Sequence, residues 1–234
     1  MSTDLPLDSA LDLPLRCLHR APSAPGPAPW LLVLMHGVGS NEADLFGLAP
    51  QVPPHCHVLS LRAPYVLGPN AFAWFQFGVR PDGQRVIDTA QEQVSRNLVA
   101  QTLVAAARQL GVPSERVVVG GFSQGGIMAL TLLLTQPALQ RAVLVMHSRT
   151  LPEALDDAAP AHTLQGKAAW VSHGLQDNVI PLASAHATRE HLAALPVALS
   201  YHEYPGAHEI RPAEWQAAMA WLQALTSAPA PAPG

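Results

Sequence analysis

Short apolar runs alternate with longer mixed stretches along the chain. Six runs are brief and mostly apolar: 30–35 (WLLVLM), 57–61 (HVLSL), 117–120 (VVVG), 142–146 (AVLVM), 168–172 (AAWVS) and 197–201 (VALSY). Several lack polar alternation, the pattern of parallel strands buried on both faces. The longest mixed stretch, 89–110, places Val99, Leu103, Ala106 and Leu110 on one helical face, and Gly111 supplies a stop. Further helices are predicted at 123–135, 182–195 and 213–225. Strand–helix alternation predicts an α/β sandwich with a mainly parallel sheet and helices on both faces. In such sheets chemistry gathers at the carboxyl ends of the strands.

Two segments break the pattern. The run 21–29 (APSAPGPAP) reads as an exposed connection, and 227–234 (SAPAPAPG) as a disordered Pro/Ala-rich tail. No repeat or mid-chain linker is visible, so 1–226 reads as a single domain. Composition agrees: 49% hydrophobic and 13% charged residues supply a core. The net charge of −4 and the absence of a basic run argue against nucleic acid as a partner. No apolar stretch approaches the roughly 20 residues of a membrane span. The N-terminus has acids where a secretion signal needs basic residues, so a cytoplasmic location is expected, with Cys17 and Cys56 as thiols.

One stretch carries candidate chemistry: Gly121-Phe122-Ser123-Gln124-Gly125-Gly126, between a strand and a helix. A nucleophilic serine at a sharp strand-to-helix turn needs small residues two before and two after it, because strand and helix pass close there. A helix-capping serine with turn glycines is the plainer alternative. Catalysis also needs a base and an acid to orient it. Asp177 follows the strand AAWVS in His-Gly-Leu-Gln-Asp and precedes a helix; Asp156 and Asp157 have no strand before them. Among eleven histidines, His208 follows the strand VALSY and the turn Tyr204-Pro205-Gly206. The order Ser123, Asp177, His208 is the hydrolase order of nucleophile, acid and histidine. Oxyanion donors are expected from the backbone N–H groups of Gln124 and of Val38, in the loop His36-Gly37-Val38-Gly39. No metal ligand set is expected; the rival, His55-Cys56-His57, lacks partner motifs. A non-catalytic binding module is the other rival.

The segments His36-Gly37-Val38-Gly39-Ser40-Asn41, Arg62-Ala63-Pro64, Trp74-Phe75, Gly121 to Gly126, His173-Gly174 with Asp177 and Ile180-Pro181, and Gly206-Ala207-His208-Glu209-Ile210 resemble the phospholipase/carboxylesterase family of α/β-hydrolases. The resemblance spans roughly 14–226. It implies the α/β-hydrolase fold with little or no cap domain, no cofactor, and a carboxylic ester or thioester as small-molecule substrate. Carboxylesterase action on short to medium acyl chains is the first reading, lysophospholipase or acyl-thioesterase action the second. A homodimer is left open. The resemblance also implies that the Trp74 segment lines the acyl groove, in a stretch (63–88) holding Tyr65, Phe72, Trp74, Phe75 and Phe77. Packing at the sheet edge is the alternative role for these aromatics. One place departs from the family: His147-Ser148 stands where a Ser-Gly pair is usual, with Arg149 next. Placed at the groove, His147 and Arg149 suit a polar or acidic substrate; solvated loop residues are the alternative.

Overall fold

The computed structural model describes residues 11–24, 28–79, 81 and 85–227. In chain order its strands are β1 (Cys17–Arg20), β2 (Trp30–Met35), β3 (Cys56–Leu61), β4 (Tyr65–Gly68), β5 (Ala71–Ala73), β6 (Phe77–Val79), β7 (Arg85–Ile87), β8 (Val117–Phe122), β9 (Ala142–Met146), β10 (Lys167–Gly174) and β11 (Val197–Tyr204). Its helices are α1 (Ala43–Phe46), α2 (Thr89–Leu110), α3 (Gln124–Thr135), α4 (Leu182–Ala193) and α5 (Pro212–Ser227). Seven strands form the main sheet, in the order β1-β3-β2-β8-β9-β10-β11. All neighbours are parallel except β1 with β3.

The six apolar runs are the six parallel strands. In the five inner strands, β3, β2, β8, β9 and β10, the lack of polar alternation has a physical cause, since both faces are covered, whereas β11 at the sheet edge is only partly buried. Leu31, Val33 and Met35 of β2 pack with Val99 and Leu103 of α2, Leu130 of α3 and Leu192 of α4. The alternate residues Leu32 and Leu34 pack with Leu45 of α1 and Trp215 and Leu222 of α5. α2 starts where Asp88 accepts the Gln91 N–H and stops at Gly111 in the left-handed conformation, φ 66°.

Three things were not readable from periodicity. β1 is a four-residue antiparallel edge strand, too short to show a period. Between β3 and α2, β4 pairs with β5 and β6 with β7, each antiparallel and too short to show a period. Ser227, expected to begin the tail, closes α5. The remainder of that tail, 228–234, lies outside the described residues, as do residues 25–27 of the proline-rich connection.

The register sets the carboxyl ends side by side. Met35 pairs with Gly121, Phe122 with Met146, and Gly174 with Tyr204. The residues that leave these strands therefore meet along one edge.

Candidate active site

β8 passes into α3 through Ser123, whose backbone sits at φ 54° and ψ −118°. Residues with side chains rarely adopt this conformation. It is held from both sides: the Ser123 N–H donates to Met146 O (2.9 Å), and its carbonyl accepts from Ile127 N (3.1 Å) and Ser148 Oγ (2.8 Å). The glycines have steric reasons. A Cβ on Gly121 would lie 2.3 Å from the Gly125 backbone, one on Gly125 2.0 Å from Met35 O, and one on Gly126 2.6 Å from Ser148 Cβ. Strand, helix and neighbouring chain thus touch through bare backbone. The α3 N-terminus begins at Ser123, where its N–H groups favour developing negative charge.

His208 and Asp177 reach Ser123 because two loops are tied together. Leu175 N donates to Tyr204 O (2.9 Å), Gln176 N to Gly206 O (2.9 Å), and Gly206 N to Gln176 Oε1 (2.7 Å). Gly174 permits the approach, since a Cβ there would meet Ala207 O at 2.3 Å. Ser123 Oγ then lies 2.8 Å from His208 Nε2, and His208 Nδ1 lies 2.6 Å from Asp177 Oδ2. A carboxylate only accepts, so Nδ1 carries the proton and Nε2 is free to accept from the serine hydroxyl. The other Asp177 oxygen accepts from Val179 N (2.8 Å) and Ile180 N (2.9 Å). Burial raises the Asp177 carboxyl, but these bonds from His208, Ile180 and Val179 outweigh it and hold the group below its ordinary range.

Val38 and Gln124 line a small pocket together with Ser123. The loop bearing Val38 is pinned by His36, which is fully buried. Its Nε2 accepts from Ala63 N (3.1 Å) and its Nδ1 donates to Gly37 O (2.7 Å). That single-proton arrangement fits an imidazole pushed down by burial. The Gln124 side chain ties α3 to the segment after β5, because it accepts from Trp74 N (2.8 Å) and donates to Phe75 O (2.6 Å). Arg62 adds a two-pronged pair to Glu42 at the base of the 36–38 loop.

The sequence profile of phospholipase/carboxylesterase proteins matches residues 22–226. The chain belongs to the phospholipase/carboxylesterase family. Esterase YpfH of Escherichia coli (strain K12) is 31% identical over 173 residues, covering 71% of this chain and 69% of that protein. A carboxylesterase of Bacillus cereus superposes with a TM-score of 0.78 at 21% identity, over 90% of this chain and 94% of its own. Acyl-protein thioesterase 2 of Zea mays does so with a TM-score of 0.73 at 20% identity, over 90% and 98%. The fold is that of the α/β-hydrolases.

Family membership sharpens where the chain departs from expectation. Trp74 is not a groove wall. It is fully buried, its indole N–H donates to His36 O (2.9 Å), and its backbone is clamped by Gln124. Those bonds turn the ring inward beneath the 36–38 loop. Phe75 does line the pocket, as do Phe77, Ile87, Ile127, Val179, Ile180 and Arg149. His147 is neither solvated nor at the groove: it is 1% exposed and packed behind Asp177. Its Nδ1 lies 3.2 Å from Asp177 Oδ2 and its Nε2 3.2 Å from Glu214 Oε2. Glu214, fully buried in the first turn of α5, belongs to no motif in the sequence. Its signal there is no more than a carboxylate next to Trp215 on an apolar helix face.

Other acids and histidines have partners of their own. Asp157 pairs with Arg96 at 2.7 Å, and Glu203 with His186 at 2.7 Å. His55 bonds Thr226, His57 bonds His19, and burial pushes the Cys56 thiol up to about 12, so the three do not converge. The donor atoms of His147, Asp177 and His208 lie within 4.8 Å of one another, close enough to raise the question of a metal. Both imidazoles point Nδ1 at the same Asp177 oxygen, however, which is a hydrogen-bonding geometry rather than three ligands around a common centre.

Proposed function

We propose that the protein is a serine carboxylesterase that works through an acyl-enzyme. The observation that carries this reading is the chain Ser123–His208–Asp177, bonded at 2.8 and 2.6 Å, with the serine on its strained turn. His208 takes the hydroxyl proton as Ser123 Oγ attacks the acyl carbonyl. Asp177 orients His208 and stabilises the imidazolium. The backbone N–H groups of Gln124 and Val38 hold the oxyanion. His208 then protonates the departing alcohol, and water, activated by the same base, releases the acid. Similarity to an esterase and a carboxylesterase supports the ester reading; similarity to an acyl-protein thioesterase keeps thioesters as the second reading.

The pocket supports short to medium acyl chains. It is small and mostly apolar, and each buried CH₂ contributes about 0.8 kcal/mol until the wall ends. Two variants test this with p-nitrophenyl esters of increasing length. Phe77→Ala is expected to weaken longer esters more than acetate and to change stability by less than about 1 kcal/mol, since Phe77 is 39% exposed at the pocket. Trp74→Ala is expected to cost about 3–5 kcal/mol of stability, as for a buried tryptophan, with equal losses at every length. The reverse pattern would place the acyl chain elsewhere. The triad reading itself is tested by Ser123→Ala, which is expected to keep the fold and lose esterase activity; retained activity would remove it.

A further inference from the structure

Behind the triad, the hydrogen-bonded chain continues. Asp177 Oδ2 meets His147 Nδ1 at 3.2 Å, His147 Nε2 meets Glu214 Oε2 at 3.2 Å, and Glu214 Oε1 accepts from Ser172 Oγ at 2.5 Å. His147, Glu214 and Ser172 are each no more than 1% exposed. The line runs from the turn after β8, through the turns after β11 and β10, to the end of β9 and into α5. Neither His147 nor Glu214 touches the pocket beside Ser123.

We infer that His147 is a positioning residue of the triad: held between Asp177 and Glu214 as an imidazolium, it fixes the carboxylate that orients His208 and sets a positive charge beside the His208 ring. This rests on the reading of Ser123, His208 and Asp177 as the catalytic unit.

Donor counting is met by the cation. Asp177 is an ionised carboxylate that accepts four bonds, so His147 Nδ1 must carry a proton to meet it. Glu214 accepts the Ser172 hydroxyl on one oxygen and the Arg211 backbone N–H (3.2 Å) on the other, so it too acts as an acceptor. His147 Nε2 must then donate as well. An imidazole that donates from both nitrogens is positively charged. Burial lowers the His147 imidazole, but the hydrogen bonds and charges of Glu214 and Asp177 outweigh that and raise it.

The groups that face His147 are Asp177 and His173 from β10 and its loop, His208 from the loop after β11, and Glu214 from α5; β8 offers the uncharged Phe122 ring. Tyr204 and Arg211 stand beyond, near Glu214. Burial pushes His173 down, and its Nε2 donates to Ile180 O (2.8 Å), so it adds no charge. The His147 and His208 rings stand edge to face with centroids 5.8 Å apart. A cation at His147 therefore opposes a second one on His208 in the resting enzyme.

The test is His147→Asn. Asparagine tolerates the φ of 49° found here, keeps an N–H near the Nδ1 position, and carries no charge. The expected result is an acid limb of kcat/KM moved upward by about one pH unit, with a plateau several-fold lower. A lower plateau with an unmoved limb would assign His147 a purely structural role and overturn the inference. The wild-type protein gives a second readout, independent of how the variant folds. In ring-nitrogen NMR at about pH 7.5, where ordinary imidazoles are about nine-tenths neutral, one histidine is expected with both nitrogens protonated. Its signal is expected to change in Glu214→Gln. No doubly protonated ring at that pH would overturn the inference. The triad reading fails separately, by activity in Ser123→Ala.

Discussion

β8 and β9 lie side by side, and each ends on a side-chain-bearing residue at positive φ: Ser123 at 54° and His147 at 49°. The two turns even share a contact, since Ser148 Oγ donates to Ser123 O. They are stabilised in opposite ways. The Ser123 turn is held by close backbone approach, and three glycines around it are sterically required. The His147 turn is held by polar partners far away in sequence: the His147 N–H donates to Ser172 O, and the ring bonds Asp177 and Glu214. A strained backbone thus has two kinds of support, one through close backbone packing and one through buried polar side chains.

The largest expected difference between the turns is catalytic. Ser123→Ala is expected to lower kcat by about 10⁴-fold or more, on the scale of losing a triad nucleophile. His147→Gly is expected to lower it by no more than about tenfold, because that side chain touches no reacting atom. Comparable losses would erase the distinction between nucleophile and support.

Stability separates the turns next. Gly125→Ala places a Cβ 2.0 Å from Met35 O, against backbone that has nowhere to move. A loss of about 3 kcal/mol or more is expected, seen as a fall in Tm of about 6–12 °C for a chain of this size. At the other turn, glycine suits the backbone but leaves the buried Glu214 and Asp177 short of a partner. Breaking such a buried pair costs about 3–5 kcal/mol, offset by about 1–2 kcal/mol of relieved left-handed strain. A net loss of about 2 kcal/mol is expected for His147→Gly.

That smaller loss has a pH signature. The His147 imidazole is raised on folding, so its contribution is fully present below the unfolded value of about 6.5 and fades as pH rises through the raised folded value. The gap in Tm between wild type and His147→Gly is therefore expected to be widest in mild acid and to narrow above neutrality. Asp177 has the opposite sign: held low, it stabilises above about 3.9 and loses that contribution as pH falls. A gap that widened with pH would mean that His147 is neutral in the folded protein.

The same contrast explains what the sequence disclosed. The five inner strands stand out because burial on both faces removes polar alternation, and Ser123 because its glycines sit within three residues of it. Asp177 and His208 were reachable through their places after strands, by topology rather than by local composition. His147 and Glu214 are 67 residues apart, and nothing local marks one as the partner of the other. Trp74 misled for a related reason. An aromatic cluster signals burial, but the hydrogen bond to His36 O that turns the indole inward exists only once β2 and the 62–88 segment are together. The short hairpins of that segment have no period to read.

Whether Ser123 is an activated nucleophile is most directly measured by intact-mass analysis after treatment with a fluorophosphonate. One adduct per chain is expected on wild type, mapped to the peptide containing Ser123, and none on Ser123→Ala or, at the same exposure, on His208→Ala. An unlabelled wild type, or equal labelling of Ser123→Ala, would contradict a nucleophile at Ser123.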